Sequence, residues 1–167
     1  MEENKECFFA EEIIFTYYGG KPGDAEISEI DDFPGKDDFI TFYTVHNGGN
    51  FTNGAWFYPE NGYEIPKCDE PYISLEGFLS IPTSDVVFRI NIESMKDIMV
   101  EKCNMFKDFI LFHIPFATDV TGNPFWIDIQ SGEIKYTDFE KSTNPDDAVT
   151  VAFSFINFCK RIKPRNL

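Results

Sequence analysis

The sequence predicts a single α+β domain whose last element is an amphipathic helix docked on the sheet. Segments with helical apolar spacing alternate with short aromatic and β-branched runs, and Gly, Pro and Asn-Gly pairs punctuate those runs. No Pro/Gly/Ser linker divides the chain into two cores. With 167 residues, 43% hydrophobic and 26% charged, the chain has the size and composition of one folded domain. Such a domain buries roughly 70% of its unfolded surface without a staple. The 19 phenylalanines are its unusual apolar feature.

Cys7 to Tyr18 is apolar-rich and stops at Gly19-Gly20, a pattern that suits a strand and a short helix equally. Asp37 to His46 reads as a helix. Phe39, Phe42, Tyr43 and His46 recur at helical spacing, two aspartates favour the N-terminus, and Asn47-Gly48-Gly49 supplies a left-handed stop. Phe51 to Tyr58 and Tyr72 to Ile81 read as strands, divided by Pro59, Asn61-Gly62, Pro66 and Pro71, and Val86 to Ile92 as another. A helix over 94–106 follows from Ser94-Met95-Lys96-Asp97, an acidic capping box, and from the spacing of Met95, Ile98, Met99 and Lys102 with Met105 and Phe106. Phe109 to Phe116 suits a central strand. Pro124 to Ile129 and Glu133 to Thr137 form a hairpin around Gln130-Ser131-Gly132. Asn144-Pro145-Asp146-Asp147 reads as a helix start, followed by Val149, Ala152, Ile156 and Cys159, with Phe155, Phe158 and Ile162 widening the stripe. Lys160, Arg161, Lys163 and Arg165 then sit where a helix dipole favours cations.

The formal net charge is -15. Nucleic acid and anionic membranes attract proteins through Lys and Arg, so this excess excludes both and favours a basic or uncharged partner. Residues 1–38 hold 12 acids and three bases, whereas the last eight residues hold four bases and no acid. The excess therefore lies in a segment that reads as separable from a core over 39–162 and a short basic tail over 163–167. No apolar run reaches a membrane span, and Met1-Glu2-Glu3-Asn4-Lys5-Glu6 is the reverse of a basic signal-peptide start, so a cytoplasmic protein is expected. Cys7, Cys68, Cys103 and Cys159 are widely spaced, without a C-x-x-C pair, and read as reduced and packed.

Catalytic patterns are not found. His46 closes a helix and His113 lies in an apolar run, which makes both packed or capping histidines rather than bases or metal ligands. Asp119 and Asp128 flank Thr121-Gly122-Asn123 and have the chemistry of a cation site or an acid-base pair, but Asp119 and Asn123 equally suit bonding to their own turn backbone. Neither a cofactor nor a metal is expected. Trp56, Phe57, Tyr58, Phe125, Trp126 and Tyr136 lie along strands, so about half should face a core while the others are free for a partner.

Two stretches, Phe39 through Gly49 and Ile114 through Ile134, together resemble the SUKH (Smi/Knr-like) superfamily. Its pattern is an aromatic-aliphatic helix ending in Asn-Gly-Gly, then Phe-Ala-x-Asp, a Gly-Asn turn, an aromatic, an Asp and a Gly-centred hairpin. Asn47, Gly48, Gly49, Phe116, Ala117, Asp119, Gly122, Asn123, Phe125, Asp128 and Gly132 occupy those positions in order. Phe155-Ile156-Asn157-Phe158 looks like the family's closing helix. The sequence departs from the pattern at Phe33-Pro34, which stands for a Leu-Pro and lies too far upstream, and in the irregular stretch from Pro59 to Pro71.

The resemblance implies a mixed, curved sheet flanked by helices, and no catalytic residues. It also implies an intracellular immunity protein of a polymorphic toxin system, one that blocks a cognate basic toxin domain such as a nuclease or deaminase. A regulatory protein-interaction scaffold is the alternative within the superfamily, and a ligand binder or enzyme using Asp119 and Asp128 is a third reading. The motif residues are expected to serve the fold. The candidate partner-binding residues are Glu26, Glu29, Asp31, Asp32, Asp37, Asp38, Trp56, Tyr58 and Trp126.

Overall fold

Alternating apolar and polar residues shape β1 (Gly49–Phe57) and β2 (Ile73–Phe78): Ala55, Phe57, Ile73 and Leu75 are buried, while the intervening Trp56 and Ser74 stay partly exposed. The strands β3 (His113–Asp119), β4 (Pro124–Asp128), β5 (Ile134–Tyr136), β6 (Val149–Ala152) and β7 (Ile162–Pro164) join them in one sheet of order β6-β5-β4-β3-β2-β1-β7. Helices α1 (Asp24–Ser28), α2 (Lys36–Val45), α3 (Ile92–Lys102), α4 (Phe106–Phe109) and α5 (Phe155–Lys160) complete a single α+β domain. This is a computed structural model, and it describes residues 8–9, 20–60, 71–84 and 90–165.

The sheet curls into a half-barrel. Register shifts at Asn50/Ala55, Leu75/Gly77, Pro115/Ala117 and Ile134/Lys135 add local twist, and Pro115 is tolerated at one of them because an irregular pair needs no ladder donor there. The two ends of the strand order are then stitched together. The Glu60 amide donates to the Val151 carbonyl at 2.8 Å, and the Phe153 amide donates to Glu60 Oε2 at 2.6 Å. The Arg161 guanidinium donates to the carbonyls of Tyr58 and Pro59.

Aromatic rings fill the inner face. Phe39, Phe42 and Tyr43 from α2 and Phe155 and Phe158 from α5 meet Phe57, Phe78, Phe116 and Phe125 of the sheet, with Phe57–Phe158 centroids 4.4 Å apart and Phe42–Phe78 4.8 Å apart. Each such buried ring contributes about 2–3 kcal/mol through burial alone. On the other face α3 packs against β3, and Phe106 and Phe109 of α4 close over Trp126.

Several sequence expectations change. The resemblance implied a mixed sheet, yet every strand ladder is antiparallel, and the parallel pairing among the described residues is the isolated Ser80–Asn91 bridge. The excursion through α3 and α4 begins and ends at the same end of the sheet, which returns β3 antiparallel to β2. The expected long C-terminal helix is instead a 3-10 turn (Pro145–Asp147), β6, the short α5 and β7. Val149-Thr150-Val151 is β-branched and pairs with β5, and the helix start moves to Ser154, whose hydroxyl accepts from the Asn157 amide at 3.1 Å. Lys163 thus belongs to a strand rather than a basic tail.

The helix expected over 94–106 begins two residues earlier and ends at Lys102, capped by a reciprocal Asn91–Ser94 pair rather than by Ser94 and Asp97. The run from Phe109 becomes a strand only at His113 because α4 takes its first residue. Helix α2 stops at His46 in an extended conformation, and the left-handed residues are Gly48 and Gly49. The described part of the acidic segment, residues 20–38, is anchored to the core: Ile30 and Phe33 are buried, and a Cβ on Gly132 would lie 2.4 Å from the Pro34 carbonyl oxygen. Outside the described residues lie the expected element over Cys7 to Tyr18, apart from Phe8 and Phe9, most of the expected Val86 to Ile92 strand, and Cys7 and Cys68. Cys103 and Cys159 are free thiols, the second fully buried.

Candidate functional site

The turn from β3 to β4 gathers the motif polar residues. Asp119 is buried, and Oδ1 accepts from the Thr121 amide (2.9 Å), the Thr121 hydroxyl (2.8 Å) and the Asn123 amide (2.9 Å). Its Oδ2 accepts from Asn123 Nδ2 at 3.0 Å and from the Tyr136 hydroxyl at 2.6 Å. Burial first, and then the neighbouring Asp119 charge, raises the Tyr136 phenol far above its ordinary value, so the hydroxyl remains a donor. Five donors meet this one carboxylate, four of them from Thr121 and Asn123 of its own turn and the fifth from Tyr136 of β5.

Asn47 works the same way between elements. Its side chain accepts from the Ile81 amide at 2.7 Å and donates to the carbonyls of Ile81 (3.0 Å) and Gly20 (2.7 Å). Gly48 follows with φ 76°, and a Cβ there would lie 2.8 Å from the Ser80 nitrogen, so the chain closes on β2's exit only through glycine. Asp128 Oδ1 accepts from the amides of Gln130 and Ser131 in the hairpin, and Oδ2 lies 3.8 Å from His113 Nε2. His113 stacks on Phe109 at 3.7 Å, and its Nδ1 lies 2.9 Å from the Phe109 carbonyl oxygen. Its burial outweighs those two partners and lowers the imidazole pKa below the ordinary 6.5. Phe116, Ala117 and Phe125 are core. The structure thus brings Asp119, Gly122 and Asn123 into one turn and Asp128 and Gly132 into the next.

The candidate partner-binding residues separate into groups. Asp31, Asp32, Asp37, Asp38 and Glu29 are exposed, on a segment anchored by Ile30, Phe33 and Phe39. Glu26 is partly committed, accepting from the Gly23 amide at 2.9 Å at the start of α1. Trp126 is corrected to core: it is fully buried under α4, and its Nε1 donates to the Thr137 hydroxyl at 2.9 Å. Trp56 and Tyr58 are half-buried on the outer face of the sheet, where Trp56 stacks on Tyr72 at 4.4 Å and Tyr58 lies 5.8 Å from the same ring. Sequence reasoning missed Tyr72 and the cross-strand neighbour Lys163, because strand register is invisible without β7.

A cleft of about 440 Å³ lies between α3 and β1–β3, with apolar walls from Leu79, Met95 and Ile98 and with Glu76 and Lys102 among its polar lining. Among the described residues no group of three or more His, Cys, Asp or Glu side chains is placed to hold a metal ion, and no helix is long and apolar enough to cross a membrane. Comparison with protein-family models, with curated proteins and with solved structures finds no match to this chain.

Proposed function

We propose that this chain is an intracellular immunity protein of the SUKH type, which binds a cognate basic toxin domain and blocks its substrate groove by charge and bulk. One observation carries the reading. The motif carboxylates and amides are consumed in holding turns together, whereas Glu29, Asp31, Asp32, Asp37 and Asp38 stand exposed on a segment fixed to the core by Ile30 and Phe33. A rigid acidic surface needs no chemistry to inhibit. A nuclease or deaminase that grips nucleic acid presents a basic groove, and a partner of opposite potential is steered into it and competes with phosphate.

The test is co-expression with the toxin encoded beside the gene. Neutralisation together with a stable complex is the expected result, and charge reversal across Glu29, Asp31, Asp32, Asp37 and Asp38 should weaken the complex without lowering the melting temperature. Added salt should slow association most. If no neighbouring toxin is neutralised, the reading fails; a neutralisation indifferent to salt and to those reversals removes its electrostatic mechanism.

A further inference from the structure

We propose that the outer face of β7, β1 and β2 is a second binding surface, opposite in sign to the acidic segment, which takes an acidic segment of a partner protein. This goes beyond the immunity reading and does not depend on it. Among the described residues no helix ring lies over Trp56 as Phe106 lies over Trp126 on β4. Trp56 stands there between its cross-strand neighbours Ser74 and Lys163 and stacks on Tyr72 with 18° between the rings. The Lys163 ammonium lies 5.3 Å from the Tyr58 ring centroid. Lys163 and Arg165 are both exposed and two residues apart, and the Arg165 amide donates to the Gly54 carbonyl at 3.3 Å, which sets this second cation along β1 two residues from Trp56.

Position is held from behind. Arg161 holds the carbonyls of Tyr58 and Pro59, and Glu60 is bonded to Val151 and Phe153, so the strand end carrying Trp56 and Tyr58 is ordered before anything binds. A pre-ordered aromatic anchor flanked by cations suits a partner side chain that is apolar with carboxylates next to it. Charge argues against the other occupants. A nucleic acid strand carries a phosphate at every nucleotide, and a second copy carries the same net charge of -15, so both are repelled by the whole molecule. A short acidic segment with a few carboxylates keeps the local attraction and suffers the least of that repulsion.

Trp56 reports the outcome directly, because the chain has two tryptophans and the other, Trp126, is fully buried. The full chain is titrated at low ionic strength with a short Glu-Phe-Glu peptide, with its Lys-Phe-Lys counterpart and with oligothymidylate, following tryptophan emission and its quenching. The expected result is a saturable change with the acidic peptide alone, weakened by salt and weakened about tenfold or more in Lys163→Glu/Arg165→Glu. The reversal Asp31→Lys/Asp32→Lys should leave it in place. Should the double charge reversal not fold, Lys163→Gln/Arg165→Gln serves, with the melting temperature as the control. No saturable change, or one that survives loss of both cations, overturns the proposal. Tighter binding of oligothymidylate through the same two residues reassigns the face to single-stranded nucleic acid. Toxin neutralisation that persists in these variants leaves the immunity reading standing whichever way this titration falls.

Discussion

Tyr136 and Asp119 are joined by a hydrogen bond of 2.6 Å from the phenol to Oδ2, which ties the β3–β4 turn to β5 inside the protein. The phenol also belongs to a ring that stacks on Phe125 at 4.8 Å, so one side chain links the polar turn to the aromatic core.

Removing the phenol hydroxyl in Tyr136→Phe deletes one bond to a charged acceptor and should cost about 1.5–3 kcal/mol. Asp119→Ala strands several donors at once and should cost more, about 3 kcal/mol or above. Urea unfolding at unchanged m-value measures both. If Asp119 instead served a ligand or a reaction, its replacement would leave stability unaltered while abolishing function.

Gly48 and Gly122 both adopt positive φ, 76° and 90°, but a Cβ on Gly48 meets the backbone of Leu79 and Ser80 while one on Gly122 meets nothing within 4 Å. Gly122→Ala should therefore show only the left-handed backbone penalty, about 1–2 kcal/mol. Gly48→Ala adds a clash with main chain that cannot turn aside, and should lower stability by clearly more. Equal losses in paired thermal melts would refute the close approach.

His113 and His46 are both shifted downward, chiefly by burial, from an ordinary 6.5. The unfolded chain then binds more protons than the folded one as pH falls past 6.5, so stability is fully present above that value and declines below it, towards each lowered folded-state pKa. Melting temperature should fall between neutral pH and pH about 5, and His113→Gln should flatten part of that slope. A slope of the opposite sign would contradict the burial argument.

Glu60 and Arg161 close the curl of the sheet, and loosening them should act locally first. Glu60→Ala removes the acceptor for the Phe153 amide and should cost about 1–2 kcal/mol, with faster hydrogen exchange at Phe153. Arg161→Met frees the carbonyls of Tyr58 and Pro59, and the exposed fraction of tryptophan emission from Trp56 should change with it. Unchanged exchange at Phe153 would show that β6 needs no such staple.

Elements whose chemistry is local were legible in the sequence. The hairpin at Gly132, the Asp119–Asn123 turn, the body of α2 and the strand character of Phe51 to Phe57 follow from turn formers, helical spacing and alternation within a few residues. The C-terminal stretch folds otherwise than its periodicity predicts, for a physical reason. Val149, Ala152, Phe155, Phe158 and Ile162 satisfy a helical stripe on paper, yet two short strands and a six-residue helix bury all of them but the half-buried Val149, with β6 paired to β5 and β7 to β1. Periodicity registers only that these side chains are apolar at suitable intervals; it carries no information about distant ladder partners.

The acidic segment shows the same division. Its charge is written in the sequence, but its attachment is not: the fit of Gly132 against Pro34 depends on a hairpin turn almost a hundred residues downstream. Trp56 and Trp126 make the contrast sharpest. Both are tryptophans on strands with aromatic neighbours, and the sequence determines no more than that each carries a large apolar surface with a polar handle. Tertiary structure decided which is core and which is surface, because α4 closes over β4 and seals Trp126, while Trp56 on the outer side of β1 meets, among the described residues, the Tyr72 ring and its cross-strand neighbours Ser74 and Lys163. The net charge of -15 is thus fixed by composition, and its division into an acidic surface and a small basic, aromatic one is fixed by the curl that brings β7 onto β1.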